Sequence, residues 1–164
     1  MGASIKISNK KIKCNEEVGD IHVLSSKLKG VIVPEAIISN IIDEIPILSI
    51  AAIFARGNTI IKNASELKVK ESDRLNAISE GLTKLKINHK LFDDGLSIEG
   101  FDGEIDTNET INSFDDHRIA MSFLVAGIRS NDGITVKDCK NIETSFPNFT
   151  DLMNKLGMTI NEKD

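Results

Sequence analysis

The sequence has 164 residues, of which 40% are hydrophobic and 27% are charged, and its net charge is −5 at neutral pH. This length and apolar content fit one folded domain, or one large piece of a longer protein, and exclude a globally disordered chain. The acidic balance and the absence of Trp and Tyr disfavour a protein that binds nucleic acid through a basic surface or through stacked aromatic side chains.

The lengths of the apolar runs and the positions of the cysteines indicate the cellular compartment of the protein. No apolar run reaches the roughly 18 residues of a membrane-spanning helix, and residues 1–13 lack the apolar core of a signal peptide. Cys14 and Cys139 lie far apart in the sequence and fit no metal-binding spacing. We therefore expect a cytoplasmic protein with reduced cysteines and no membrane partner.

The first 34 residues are predicted to be extended. Apolar and polar side chains alternate there with a period of two, which is typical of strands. A turn is predicted at Asn9-Lys10, and Pro34 closes the last segment. The four predicted strands are residues 4–8, 11–14, 20–24 and 31–34.

An apolar segment then predicts buried helices. We expect a short helix or turn over residues 35–42, followed by a helix that begins at Asp43 or Glu44 and is stopped by Gly57. Pro46 falls in the first turn of that helix, where its missing N–H group costs little. Residues 58–62 are predicted to form a strand.

The second half alternates helices and strands. Leu75, Ile78, Leu82 and Leu85 recur at three- and four-residue steps, which predicts an amphipathic helix over residues 71–86. An Asp-Gly turn at Asp93-Asp94-Gly95 predicts a hairpin of residues 88–92 and 96–101. A polar loop is expected over residues 102–113, followed by an apolar helix over residues 116–129 and a strand over residues 133–138. A helix over residues 146–156 has Pro147 in its first turn, and a further strand is expected to start at residues 159–162.

A weak internal repeat indicates the fold class. Residues 84–88 and 155–160 both leave a predicted helix and enter a predicted strand with similar sequences, and residues 1–5 resemble the end of a third copy. We therefore predict an α/β layer structure of duplicated units, each with two helices and mixed strands, without internal linkers.

Arginine is scarce, with only four among the 20 basic residues. Lys70 and Arg74 lie four positions apart at the predicted start of a helix, where like charges and the helix dipole disfavour them. An anion bound between them would remove both costs. The alternative, which the spacing alone favours, is a solvated helix start in which Ser72 or Asp73 is the cap.

A second cationic helix start lies at Asp116-His117-Arg118, ahead of an apolar helix. The alternative here is a buried helix that Asp116 caps and that has one polar end. Two helix N-termini that each carry one of the four arginines predict a site for a doubly anionic ligand, or for two anions.

Asp43 lies between isoleucines at the edge of the apolar segment. Partial burial there would raise its pKa toward a value suited to proton transfer. The alternative, which the chemistry alone favours, is an N-cap for the helix that contains Pro46, and the two roles do not exclude each other.

Four motifs occur together in this chain: Asp43-Glu44-Ile45-Pro46, Lys68 to Arg74, Asp116 to Met121, and Thr144-Ser145-Phe146-Pro147. Together they closely resemble the carboxy-terminal half of the 5-enolpyruvylshikimate-3-phosphate synthase family, over essentially the whole chain. The resemblance implies mixed α+β structure of repeated β-α-β-α-β-β units, with helices packed against mixed sheets. Residues 1–164 would then be most of the carboxy-terminal domain, with the amino-terminal domain absent.

The resemblance also implies a reaction. The complete enzyme would transfer the enolpyruvyl group of phosphoenolpyruvate to the 5-hydroxyl of shikimate 3-phosphate and release phosphate, on the route to chorismate and the aromatic amino acids, with no metal or organic cofactor. By resemblance, Asp43 accepts the proton and binds the shikimate hydroxyls, and Lys70 lies near that hydroxyl. Glu71 would take part in proton transfer to the methylene carbon.

The remaining site residues are implied in the same way. Arg74 and Arg118 would hold phosphoenolpyruvate, and His117 would lie beside its phosphate. Thr144 occupies a substrate-binding position at which some members have a lysine. The glyphosate-tolerant subgroup has a threonine there, as this chain does, so sensitivity to that inhibitor stays open.

Two alternatives remain open from the sequence. One is the transferase of the same fold that acts on a UDP-amino sugar, which the Lys70-to-Arg74 block argues against. The other is a non-catalytic anion-binding half that needs a partner chain. Because the amino-terminal contacts to both substrates are missing, the isolated chain is expected to be inactive.

Overall fold

Residues 1–162, which are the residues that this computed structural model describes, form short strands and helices. The strands are β1 (Ser4–Lys13), β2 (Glu16–Leu24), β3 (Asn58–Ile61), β4 (His89–Phe92), β5 (Gly95–Glu99), β6 (Thr110–Asn112) and β7 (Thr135–Lys137). The α-helices are α1 (Glu35–Ile38), α2 (Ile45–Ile53), α3 (Arg74–Lys84), α4 (His117–Ala126), α5 (Asn141–Ser145) and α6 (Phe149–Lys155). Three 3-10 turns complete the set: Ser39–Glu44, Ser65–Val69 and Gly127–Arg129.

The described strands form three small sheets of mixed direction. β1 and β2 are antiparallel, β3, β5 and β4 form an antiparallel sheet in that order, and β6 and β7 are parallel. A parallel bridge between Ile32 and Ile60 joins the segment before α1 to β3. Two parallel connections therefore cross over a helix, α2 in one and α4 in the other, and these two helices pack together. This mixed α/β arrangement agrees with the predicted fold class.

The core lies where α2, α3 and α4 meet the sheets. Leu75, Ile78 and Leu82 of α3 are buried, as their spacing predicts, and each contributes roughly 1.5–3 kcal/mol through burial. The helices α3 and α4 approach closely at Gly81, where a Cβ atom would lie 2.1 Å from the ring of Phe123. Only glycine fits this contact, so Gly81 fixes how closely the two functional helices lie.

The amino-terminal hairpin differs from its prediction in register and turn. β1 runs through Asn9 and Lys10, where the sequence predicted a turn, and its pairing with β2 shifts register between Ser8 and Lys11. The chain instead turns at Cys14 and Asn15, which have φ angles of 52° and 63°. Asn9 also has a positive φ of 52°, which is typical of a bulge that an asparagine tolerates.

Two shorter predictions in the middle of the chain are wrong. The predicted strand over residues 31–34 is reduced to the single bridge at Ile32. The predicted polar loop over residues 102–113 contains β6, because Ile111 is buried against the core and pairs with Val136.

The carboxy-terminal helix begins later than the predicted Phe146, and Pro147 lies outside it. Residue Phe146 has φ −138° and ψ 78°, in agreement with the bias of a residue before proline against helical angles. α6 therefore begins only at Phe149. The predicted strand at residues 159–162 is not formed in the described part, because Asn154 side-chain atoms bond the backbone of Ile160 at 3.1 Å and 2.7 Å and fold it back onto the helix.

The helical stretch Glu35–Ile53 is long and apolar enough, by length and composition alone, to cross a membrane, which the sequence reading did not anticipate. It is not one straight helix, because Ile41 has non-helical angles of φ −115° and ψ 16°. Ile45 and Ile53 are buried, and α2 packs against α4. We interpret α2 as a core helix of the α/β fold.

Candidate active site

The start of α3 lies three residues later than predicted. Asp73 is the N-cap, and its side chain accepts a hydrogen bond from the Asn76 N–H at 3.1 Å, as the capping alternative proposed. Lys70 is extended, with φ −84° and ψ −157°. The prediction that Lys70 and Arg74 share a helix face is therefore wrong, although both side chains reach the same carboxylate.

Arg74 is the centre of a group of charged side chains. Its side chain is only 1% exposed, and each of its nitrogens donates to a carboxylate. Nε donates to Asp116 Oδ2 at 2.7 Å, Nη1 to Asp43 Oδ1 at 2.8 Å, and Nη2 to Glu71 Oε2 at 2.5 Å. The structure therefore corrects the prediction of a bare cation facing an anion: protein carboxylates surround this guanidinium and hold it in place.

Asp43 is the carboxylate on which three cations converge. Besides Arg74, Lys70 Nζ lies 3.6 Å from Oδ1 and Arg118 Nη2 lies 3.8 Å from Oδ2. Burial alone raises the pKa of Asp43, but the hydrogen bond from Arg74 and the charges of Arg118, Lys70 and Arg74 together lower that pKa below its ordinary value. The predicted raised pKa is wrong, because the neighbouring cations outweigh the apolar flanks.

Asp43 also does not cap α2. The N-cap position of that helix is Glu44, and no side chain bonds the free N–H groups there. The Asp43 side chain is turned toward the arginines instead and remains 41% exposed. An exposed, ionised carboxylate fixed by cations is suited to accept a hydrogen bond from a ligand hydroxyl.

The start of α4 carries Arg118. Asp116 caps this helix, accepting hydrogen bonds from the N–H groups of Arg118 at 2.9 Å and Ile119 at 3.4 Å, so the capping prediction is confirmed. The Arg118 guanidinium reaches the Asp43 carbonyl at 3.0 Å and Glu44 Oε1 at 3.3 Å. Its side chain is 34% exposed, which leaves part of the guanidinium available to a ligand.

The pKa values of Asp116 and Lys70 are also shifted. Burial raises the pKa of Asp116, but the hydrogen bond and charge of Arg74 and the two capping N–H groups together lower that pKa below its ordinary value. The pKa of Lys70 is raised, first by its hydrogen bond to Glu66 and also by Asp43. Both groups are therefore charged at neutral pH.

His117 and Thr144 lie outside this group of charges. His117 is the half-buried first residue of α4, and Thr144 is exposed on α5. The start of α5 is held beside α4, because Asn141 Nδ2 donates to the Asp115 carbonyl at 2.5 Å. Neither His117 nor Thr144 makes a hydrogen bond or ion pair with the charged group within the described residues.

Two contacts were not anticipated from the sequence: the hydrogen bond between Ser72 and Asp116, and the ion pair between Glu66 and Lys70. Ser72 Oγ donates to Asp116 Oδ2 at 3.1 Å. The apolar helix that follows Arg118 could have indicated that its capping carboxylate is buried. Nothing local indicates that the same carboxylate holds an arginine 42 positions away.

The surface beside the charged group is open. A depression of about 310 Å³ is lined by Glu71, Ser72, Asp73, Asn76, Ala77 and Phe114. Within residues 1–162, no group of three or more His, Cys, Asp or Glu side chains is arranged to hold a metal ion. The arrangement can therefore bind through charge and hydrogen bonds and can accept a proton at an exposed carboxylate.

Comparisons with known proteins agree with this chemistry. The family model described as EPSP synthase (3-phosphoshikimate 1-carboxyvinyltransferase) matches residues 1–153. A 3-phosphoshikimate 1-carboxyvinyltransferase of Legionella pneumophila is 44% identical over 162 residues, covering 99% of this chain and 37% of the relative. The enzyme of the same name from Vesicomyosocius okutanii is 43% identical over 161 residues, with 98% and 37% covered.

A solved structure gives the same result for the fold. EPSP synthase from Acinetobacter baumannii superposes with a TM-score of 0.96 at 41% identity, covering 100% of this chain and 38% of that chain. The chain thus spans about 37% of the length of the curated relatives it matches.

Proposed function

The chain belongs to the EPSP synthase family, and we propose that it supplies part of an active site that transfers the enolpyruvyl group of phosphoenolpyruvate to the 5-hydroxyl of shikimate 3-phosphate. The family and the enolpyruvyl transferase fold expected from the sequence are confirmed by the match over residues 1–153 and by the superposition. The activity is proposed for the complete enzyme, because this chain spans about 37% of its curated relatives.

The observation that carries the proposal is the convergence of Lys70, Arg74 and Arg118 on one exposed carboxylate. The three cations come from two segments of the chain, Lys70 and Arg74 from one and Arg118 from the other, and protein carboxylates contact each of them. Both proposed substrates are anions, and one of them presents hydroxyl groups. A site with fixed cations around an ionised acceptor matches that combination.

Each residue then has a proposed role in addition followed by elimination. Asp43 accepts the hydrogen bond and the proton of the attacking hydroxyl, whose oxygen forms a bond to C2 of phosphoenolpyruvate. The nearby Lys70 charge makes this hydroxyl more acidic. Glu71, which is half exposed and whose described contact is with Arg74, enters the cycle protonated and delivers that proton to C3. Phosphate then leaves the tetrahedral intermediate with the proton that Asp43 took from the hydroxyl, and C3 returns a proton to Glu71 to restore the double bond.

The anion-binding roles are divided between the other residues. Arg118 holds phosphoenolpyruvate through the part of its guanidinium that is exposed. Arg74 is only 1% exposed, so its Nη2 reaches phosphoenolpyruvate when the half-exposed Glu71 side chain moves away from it. His117, at the first position of α4, lies beside the phosphate. Thr144 takes the place at which some members have a lysine, so we propose that it tunes the affinity for phosphoenolpyruvate and for the inhibitor glyphosate.

Residues 1–164 constitute most of the carboxy-terminal domain in this proposal. The remaining part of the enzyme supplies further contacts to both substrates, which is why the isolated chain is expected to be inactive. Both cysteines are free, which supports a cytoplasmic location. The UDP-amino-sugar reaction and the non-catalytic role are not favoured, because the matching family and relatives are 3-phosphoshikimate 1-carboxyvinyltransferases.

The test uses a joined enzyme, in which this chain is attached to the part of the Legionella pneumophila relative that it does not cover. Phosphate release is followed with both substrates present and with each one omitted. We expect release only when both are present, and none from either part alone. A folded joined enzyme that releases no phosphate, or releases it without shikimate 3-phosphate, would contradict the proposed function.

A further inference from the structure

Asp116 connects the two motifs that carry the arginines. Its side chain is fully buried, and its two oxygens have different partners. Oδ1 accepts the backbone N–H groups at the start of α4, at 2.9 Å from Arg118 and 3.4 Å from Ile119. Oδ2 accepts Arg74 Nε at 2.7 Å and Ser72 Oγ at 3.1 Å. Oδ1 therefore caps a helix and also lies 3.5 Å from Arg74 Nη2, while Oδ2 holds the guanidinium at Nε.

The other two carboxylates on Arg74 are of a different kind. Asp43 and Glu71 are 41% and 50% exposed, so a bound substrate can reach them, whereas Asp116 is 0% exposed. Asp116 also bonds the inner edge of the guanidinium, with Nη2 at 3.5 Å from Oδ1 in addition to the Nε contact. Asp116 is therefore the buried carboxylate that holds Arg74 from the interior side of the group of charges.

We propose that Asp116 is the positioning residue for phosphoenolpyruvate: it fixes the Arg74 guanidinium relative to the start of α4 and so sets the spacing between Arg74 and Arg118. This inference rests on the proposed function, because it assigns to that site the residue that aligns its two arginines. A planar guanidinium held at one edge presents its other nitrogens in a single orientation, which an isolated flexible arginine does not.

The substitution Asp116→Asn separates the two roles of this side chain. Asparagine caps helices about as well as aspartate, so the Oδ1 contacts to α4 can be kept. The amide Nδ2 then faces Arg74 Nε, and two donors meet where a donor and an acceptor were paired. The matched control is Asp73→Asn, which makes the same change at the cap of α3, where the side chain accepts from Asn76 and has no contact with either arginine within the described residues.

The first measurement is the steady-state kinetics of the joined enzyme. For Asp116→Asn we expect kcat/KM for phosphoenolpyruvate to fall about tenfold or more through a higher KM, while the KM for shikimate 3-phosphate moves less than about threefold. For Asp73→Asn we expect both constants within about twofold of the unchanged enzyme. An unchanged KM for phosphoenolpyruvate in Asp116→Asn would overturn the proposal.

A second measurement does not depend on turnover. The Nε–H signal of Arg74 in the NMR spectrum of the 164-residue chain, assigned by its loss in Arg74→Lys, should exchange slowly with solvent and should move in Asp116→Asn but not in Asp73→Asn. A signal that stays in place in Asp116→Asn would show that Asp116 does not fix Arg74. An inactive unchanged joined enzyme would refute the proposed function, while this spectrum would still decide whether the anchor exists.

Should Asp116→Asn fail to fold, Ser72→Ala replaces it. This variant removes one hydrogen-bond donor from Asp116 Oδ2 and keeps the buried charge pair. We expect a rise of about threefold in the KM for phosphoenolpyruvate at an unchanged melting temperature. A KM that does not rise would also overturn the proposal.

Discussion

Replacing Asp43 by Asn removes the charge on which three cations converge and keeps the shape of the side chain. The Arg74 contact at 2.8 Å becomes a weaker hydrogen bond, and the ion pairs at 3.6 Å and 3.8 Å are lost. A hydrogen bond to a charged group contributes about 1.5–3 kcal/mol, and the exposure of Asp43 reduces this through solvent screening. We expect the free energy of unfolding to fall by about 1–2 kcal/mol.

The effect of Asp43→Asn on catalysis should be much larger. An amide cannot accept the hydroxyl proton, so turnover of the joined enzyme should fall about 10²-fold or more, the usual scale for a positioned general base. Binding of shikimate 3-phosphate should survive better, because an amide still hydrogen-bonds hydroxyl groups. The assay is a thermal melt and steady-state phosphate release, measured on one preparation.

The matched control is Glu44→Gln, the neighbouring carboxylate. Its described contact is with Arg118 at 3.3 Å, and its side chain is 57% exposed, so its stability and turnover should stay close to those of the unchanged enzyme. A large drop in melting temperature for Asp43→Asn with near-normal turnover of the folded protein would refute the reasoning, because Asp43 would then be purely structural.

Two other predictions follow from the same group of charges. Arg118→Lys keeps the charge but loses the planar fork, so phosphoenolpyruvate binding to the joined enzyme should weaken by about 1.5–3 kcal/mol; unchanged KM and kcat would show that Arg118 is structural. Because the pKa values of Asp43 and Asp116 are lowered in the folded chain, their stabilising contribution is present above about pH 4 and is lost as the pH falls through the folded values. The melting temperature of the chain should therefore decline below about pH 4, less steeply in Asp43→Asn, and a melting temperature independent of pH in that range would contradict the assigned charges.

Much of the fold follows from local patterns. The spacing of Leu75, Ile78 and Leu82 located α3, and the turn at Asp93-Asp94 located the β4–β5 hairpin, because both signals depend only on neighbouring residues. The failures have equally local causes. Pro147 precedes α6 and does not lie in its first turn, and Asn9 tolerated a bulge where a turn was predicted.

The sequence identified the charged residues that come together at the site, but it did not predict their ion pairs or the direction of the pKa shift of Asp43. Isoleucines beside Asp43 indicated burial and a raised pKa, whereas the cations that lower it stand 31 and 75 positions away in the chain. Such contacts depend on how α3 and α4 pack, which no local pattern reports. For the same reason the anchoring role of Asp116 could not be separated from its capping role before the structure was known.

The most direct test of the account is to run the joined enzyme in D₂O with both substrates and to examine the methylene group of the product. Addition followed by elimination places a solvent-derived proton on C3 of phosphoenolpyruvate and then removes one. The account predicts deuterium in the product methylene. In Asp43→Asn, formation of this deuterated product should fall together with turnover. A product formed at a normal rate without deuterium would contradict the proposed addition and elimination at this site.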